Sequence, residues 1–217
     1  MQVLTQKDTN PFPFSDSNKR YYTWDYYLRK RYGGKVFKIS LDAGFSCPNI
    51  DGTRGKGGCT YCSYAFRRQT PDSLLEQYHQ VQKTLHEKWP DANRYIPYFQ
   101  ANTNTYAPVE ELRAKYEAVL FQPGVVGLSV ATRADALPDD VCEYLHSLSE
   151  KTDLMIELGL QTIHDETAKR INRGHTTAEF LEGYHKLTSL GIPVCIHIIN
   201  GLPGETKEMM LDTVRAI

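Results

Sequence analysis

Downstream of Gly33-Gly34 the apolar residues fall into two alternating rhythms. Lys35 to Leu41 carries Val36, Phe37, Ile39 and Leu41 and reads as a strand. Leu74, Tyr78, Val81 and Leu85 then recur at helical spacing, with Thr70-Pro71 as the expected helix start. Tyr95 to Gln100 is the next strand, and Val109, Leu112, Tyr116 and Val119 mark the next helix. The succession repeats in Val125 to Ala131 with the stripe Val141, Tyr144, Leu145 and Leu148. It repeats again in Leu154 to Leu160 with Phe180, Leu181, Tyr184 and Leu187, and in Pro193 to Ile199 with a last helix from near Glu205. Strands alternating with helices imply parallel pairing and right-handed crossovers. The expected class is α/β: a partial or six-stranded (β/α) barrel, with a flat doubly wound sheet as the alternative. Chemistry in such barrels sits at the C-terminal ends of the strands. The chain stops at Ile217 inside its last helix, which suggests a truncated sequence, because a sixth strand would help close the sheet.

Composition narrows the class. The chain has 217 residues, of which 41% are hydrophobic, enough for one sizeable core. Its 25 basic and 26 acidic residues predict no polyanion partner from global charge, so any nucleic-acid surface must be local. Five cysteines without a repeated spacing argue against a disulfide framework and for a reducing compartment. Met1 to Ser17 is polar and interrupted by proline, too little apolar for a signal peptide or membrane span. A cytoplasmic location is expected.

Three of the cysteines are the most informative feature. Cys47 is separated by eleven residues from Cys59-Thr60-Tyr61-Cys62, in a Gly-rich loop directly after the first strand. Three thiolates hold three irons of a cubic [4Fe–4S] cluster and leave the fourth iron open. Zinc with a histidine as fourth ligand is the rival, and the nearest histidines, His79 and His86, fall on the following helix. Cys142 and Cys195 fall among apolar neighbours and read as packing residues.

This triplet, with Tyr61 before its last cysteine, resembles the radical S-adenosylmethionine (SAM) superfamily, over roughly residues 35–217. The wide first spacing resembles the subgroup of the Elongator catalytic subunit. The resemblance implies a radical SAM barrel, with Cys47, Cys59 and Cys62 as cluster ligands and SAM as the second cofactor. It implies that an electron donor such as flavodoxin or ferredoxin serves the cluster. Tyr61 would lie against adenine, or be an ordinary loop aromatic. Gln100 and Asn102 stand where the superfamily has a Gly-Gly-Glu segment binding the SAM amino group. This chain lacks those glycines and the glutamate, so the two amides either accept from the ammonium or cap the next helix. Glu157-Leu158-Gly159-Leu160-Gln161 and the following Arg173 resemble the oxygen-independent coproporphyrinogen dehydrogenases, which implies Gln161 on the ribose and Arg173 on the SAM carboxylate. The turn Gly201-Leu202-Pro203-Gly204-Glu205 is a superfamily hallmark.

Other positions keep two readings. Alternation along the third strand aims Thr132 or Arg133 into the barrel mouth, and Arg133 either binds a carboxylate or phosphate bidentately or pairs with Asp135 or a neighbouring loop. Glu157, in a strand body, requires a partner if buried. His197 alternates with apolar neighbours; it is a cofactor-binding or catalytic candidate, or a satisfied core histidine. Arg170 reads as a solvated helix charge. Residues 1–34 form an arm and a helix; Lys19 to Tyr32 holds five basic residues, one acid and six aromatics. Interleaved cations and rings suit phosphates and stacked bases. They equally describe an amphipathic helix laid on the barrel. The expected function is a radical SAM enzyme acting on tRNA, remodelling a carboxymethylaminomethyl-type side chain on the wobble uridine. The alternatives are a radical enzyme for a small metabolite and a non-catalytic zinc or RNA-binding module.

Overall fold

A computed structural model describes residues 19, 21–62, 73–100 and 102–217. The expected arm over residues 1–18 and the expected helix start at Thr70-Pro71 lie outside the described residues. The strands are β1 (Phe37–Leu41), β2 (Tyr95–Phe99), β3 (Leu128–Thr132), β4 (Leu154–Gln161) and β5 (Val194–Ile198). They pair in sequence order, all parallel. The helices are α1 (Trp24–Tyr32), α2 (Leu74–Lys88), α3 (Val109–Leu120), α4 (Asp139–Ser149), α5 (Asp165–Arg170), α6 (Thr177–Ser189) and α7 (Lys207–Arg215). Among the described residues there are five strands, one for each predicted strand–helix unit. The third strand begins at Leu128 rather than Val125, which makes only an isolated bridge to Tyr95.

Local chemistry fixes the helix starts. Ser73 accepts from the Glu76 amide while Glu76 bonds back to Ser73, and Thr176 and Glu179 repeat that capping box on α6. Thr206 caps α7, so that helix starts two residues after Glu205. At the other end of α1, Gly33 takes φ 70°, the left-handed turn that glycine adopts without strain.

The sheet carries two different faces. Ile39, Leu41, Phe99, Val130, Ile156 and Leu158 are buried against a helical layer that includes Leu112, Tyr116, Leu145 and Phe180, and this is the main core. The positions that alternate with them are polar or small: Lys38, Ser129, Ala131, Glu157, Gly159 and His197. Lys38 on β1 forms an ion pair with Glu157 on β4. In a flat sheet strands three places apart are separated by about 14 Å, farther than the two side chains reach. The ion pair therefore requires the sheet to curl, and the polar face is its concave side. That is the geometry of a partial barrel.

Helix α1 lies across the N-terminal ends of the strands. Arg31 and Tyr32 bond to Asp153, the residue before β4, and Leu28 packs with Val36 and Ile96. Replacing Ile156, fully buried in the middle of β4, tests the core: Ile156→Ala is expected to lower unfolding free energy by about 2–5 kcal/mol in a denaturant titration.

Candidate active site

The loop after β1 organises itself around Cys47. The amides of Ile50 and Asp51 bond to the Cys47 carbonyl, those of Arg54 and Gly55 to Pro48, and that of Gly58 to Asn49. A second loop, after β4, braces it. Thr60 N–H donates to the Ile171 carbonyl, and Asn172 Nδ2 donates to the carbonyls of Lys56 (3.1 Å) and Gly58 (2.7 Å). In return Asn49 Nδ2 donates to the Asn172 carbonyl at 2.6 Å and to Cys59 Sγ at 3.4 Å. Cys47 and Cys59 are thereby buried and Cys62 is exposed.

All three thiols line one cavity of about 360 Å3 at the C-terminal ends of the strands. Tyr61, Gln100, Asn102, Gln161 and His197 line it too, with Thr132, Arg133, Glu157 and His175. Eight of the nine expected site residues thus share one cavity.

Arg173 is the exception. Its side chain is fully buried behind the wall, and its guanidinium donates to the carbonyls of His175 (2.9 Å), Leu160 (2.5 Å) and Thr162 (2.6 Å). It therefore locks the turn after β4 rather than facing the cavity. Arg133 likewise takes its second reading: it grips Asp135 bidentately at 2.9 and 2.8 Å and donates to the Arg173 carbonyl at 2.7 Å. Arg170 is not simply solvated, since it donates to the Pro203 carbonyl at 2.5 Å and so holds the Gly-Leu-Pro-Gly turn.

Backbone strain concentrates here. Among the described residues the non-glycine residues at positive φ are Asn102 (60°), Gln161 (66°) and Asn172 (52°), two on the cavity wall and one in the brace. Such conformations persist where surroundings over-determine them, and they cluster at functional sites. At Gln161 the β4–β5 register slips, and the side chain folds back over Gly159; a Cβ there would meet Gln161 Nε2 at 2.4 Å. Glycine is what lets that amide lie over the cavity floor.

The floor is an ionic cluster. Glu157 is held by polar partners from three other strands: Lys38, Ser129 Oγ (2.5 Å) and His197 Nε2 (2.8 Å) all bond to it. Lys38 also sits over the Tyr98 ring, 4.1 Å from its centroid. Burial works to raise the Glu157 pKa, but bonds from His197, Lys38 and Ser129 prevail and take it to about 2. Hydrogen bonding to Cys195 and Glu157 outweighs burial at His197 and lifts it to about 9. His197 is thus a cation on the wall rather than a core histidine. His175 behaves oppositely: burial, then repulsion from Arg173 and Arg133, brings it to about 4, so it is neutral at pH 7.

Sequence reading missed Lys38, Ser129, Asn49 and His175. A lysine between Phe37 and Ile39 in a strand was the available signal, since alternation puts it on the opposite face.

Among the described residues no three His, Cys, Asp or Glu side chains converge tightly enough to ligate one ion. Thiolates on a single zinc stand about 3.8 Å apart. A cube gives each of three thiolates its own iron and so sets them wider. Three thiols lining one cavity suit the cube's donor set.

Two outcomes are expected. Arg173→Leu leaves the buried carbonyls of His175 and Thr162 without that donor, while Leu160 keeps the Thr162 N–H, and is expected to cost roughly 2 kcal/mol or more, at about 1–3 kcal/mol per orphaned group. Denaturant unfolding of cofactor-free protein measures it; unchanged stability would mean that the arginine serves only a ligand. For His197, a pKa raised from 6.5 to about 9 stabilises the fold fully below about pH 6.5, and the gain fades as pH rises through 9. The melting-temperature difference between wild type and His197→Gln should therefore be largest near pH 6 and shrink toward pH 10.

Known proteins resemble this chain. The family model "Radical SAM superfamily" matches residues 50–217. YtqA of Bacillus subtilis is 54% identical over 212 residues, covering 96% of this chain and 66% of YtqA. YhcC of Escherichia coli is 43% identical over 194 residues, covering 88% of this chain and 62% of YhcC. The chain therefore spans a little under two thirds of these relatives. A shorter match, 31% over 84 residues, covers 39% of this chain and 15% of the tRNA uridine(34) acetyltransferase of Methanocaldococcus jannaschii. Among solved structures, archaeal Elp3 from Methanocaldococcus infernus superposes with a TM-score of 0.59 at 18% identity, covering 84% of this chain and 42% of Elp3. At that identity the likeness concerns the fold. The family match across more than half of the chain, joined to the two closer relatives, establishes that the chain belongs to the radical SAM superfamily, whose enzymes use a [4Fe–4S] cluster and SAM.

Proposed function

We propose that Cys47, Cys59 and Cys62 hold a [4Fe–4S] cluster and that the chain is the core of a radical SAM enzyme acting on tRNA. The observation that carries the first part is the placing of three thiols from one braced loop on one cavity wall at the C-terminal strand ends. When bound, the cluster and SAM together supply one-electron SAM cleavage and hydrogen-atom abstraction. The chain's own residues bind and orient. Gln100 and Asn102 offer amide oxygens to an ammonium, and Gln161 offers an amide to ribose hydroxyls. Tyr61 lies beside Cys59 and Gln161 and gives an aromatic surface for adenine. His197 faces the same space with a positive charge backed by Glu157.

The proposed substrate is the wobble uridine, with a carboxymethylaminomethyl-type side chain to be remodelled. Its support is the uridine(34) named in one relative and the Elp3-like fold. A base in an anticodon loop is already unstacked enough to enter a cavity of this size. Helix α1 supports it less than its composition promised. Arg29 pairs with Asp25 and Arg31 with Asp153, and the helix sits at the opposite strand ends from the cavity. That placement favours a second reading, a radical enzyme for a small metabolite. An electron donor such as flavodoxin or ferredoxin belongs to either.

Anaerobic reconstitution with iron and sulfide is expected to give about four irons per chain and, with dithionite and SAM, 5′-deoxyadenosine. Cys59→Ala should lose both. Bound zinc without iron would return the chain to the non-catalytic reading. An altered wobble nucleoside in tRNA from cells lacking the protein, read by mass spectrometry, separates tRNA from a metabolite.

A further inference from the structure

We infer that Asn49 is a positioning residue for the cluster: its buried carboxamide donates an N–H to the Cys59 sulfur and eases one-electron reduction of the cluster held there. The inference rests on the reading that the three cysteines bind a [4Fe–4S] cluster.

Asn49 is fully buried. Its Nδ2 has two neighbours, Asn172 O at 2.6 Å and Cys59 Sγ at 3.4 Å. Both are acceptors, so the network assigns the amide orientation; a flip would set Oδ1 against each. Oδ1 faces the other way and has no hydrogen-bond partner among the described residues. A buried acceptor left unpaired works against folding and asks for a compensating role.

The surroundings are shaped to hold this one side chain. A Cβ at Gly55 would lie 2.2 Å from Asn49 Oδ1, and one at Gly174 would lie 2.4 Å from it. Two loops therefore carry glycine where they meet the amide, and Gly174 also needs its φ of 79°. Asn172, at φ 52°, presents its carbonyl to Asn49 while its side chain donates to Lys56 and Gly58. The two asparagines thus reach across in opposite directions. One braces the cysteine loop and the other reaches a cysteine sulfur.

Reduction takes the cluster from the 2+ to the 1+ state by one electron from an external low-potential donor, with no bond made or broken. The added charge spreads onto the sulfurs, so a donor to a cysteine sulfur stabilises the reduced state and raises the potential. A fixed, buried carboxamide does this without solvent reorganisation.

The test is a redox titration of reconstituted protein, followed by the EPR signal of the reduced cluster. For Asn49→Ala the reduced-to-oxidised ratio at a fixed potential is expected to fall about tenfold, a midpoint lower by about 59 mV for one electron. Asn172→Gly keeps the carbonyl and tolerates the left-handed backbone while losing the side-chain brace. It should retain the wild-type midpoint and release iron faster to a chelator. An unchanged midpoint in Asn49→Ala overturns the inference, as does an equal shift in Asn172→Gly, which would trace the effect to loop geometry. Should Asn49→Ala take up no iron, wild-type protein carrying 15N only in asparagine decides. Pulsed EPR should then show a 15N coupling that persists in Asn102→Ala, and its absence overturns the inference. Wild-type protein that binds no iron defeats the cluster reading itself, a separate and recognisable result.

Discussion

The curl of the parallel sheet is the constraint on which the rest depends. A sheet with helices on one side only must find some other use for its second face. Here that face bends around a space instead of packing against a second layer, and the bend is registered by one ion pair, Lys38 to Glu157, spanning from the first strand to the fourth. A lone buried carboxylate would be expelled or protonated. Glu157 stays charged because Lys38, Ser129 and His197 converge on it from three other strands. The same convergence holds His197 against the cavity as an imidazolium.

Above this floor the wall is built by loops that are stiff for identifiable reasons. Arg173 gathers carbonyls from the turn after β4, Arg133 ties that turn to Asp135, and Asn49 and Asn172 join it to the cysteine loop. None of these side chains is free to leave for a ligand without orphaning a buried partner. Their job is to hold the thiols and Gln161 in place. Positive φ at Asn102 and Gln161 shows where the backbone is bent away from its easy conformations to aim a side chain inward.

Much of this was legible beforehand, and the remainder failed for physical reasons. Strand and helix order followed from apolar periodicity, because the helical layer needs a buried face from each element. Cys47, Cys59 and Cys62 stood out since thiols at that spacing on a Gly-rich loop have few other uses. Separation along the chain says nothing about which way a guanidinium turns, and the Arg173 guanidinium bonds to the carbonyls of His175, Leu160 and Thr162. Lys38 escaped notice because its partner lies 119 residues away, and only the sheet's curl brings them together. Asn49 escaped because its role depends on glycines at 55 and 174 that look, in sequence, like ordinary turn residues. The helix α5, six residues long, is too short to display a period.

The placement of α1 also bears on how any substrate arrives. Its aromatic and basic residues looked like a surface for stacked bases, yet Arg31 and Tyr32 anchor it to Asp153 and Leu28 packs beneath Val36 and Ile96. With β4 running eight residues, about 26 Å at strand rise, this helix closes the bottom of the curled sheet while the thiols stand at the top. A substrate reaching the cavity therefore enters past the loops after the strands, where Tyr61 and Cys62 are exposed. Trp24 and Lys38 meet under the floor at 5.5 Å, so α1 reaches the underside of the Glu157 cluster. A nucleic acid that also contacted α1 would have to wrap the outside of the barrel to do so. On the proposed reading, the surfaces a substrate meets in the cavity are its mouth and its charged floor, not the basic helix that composition first points to.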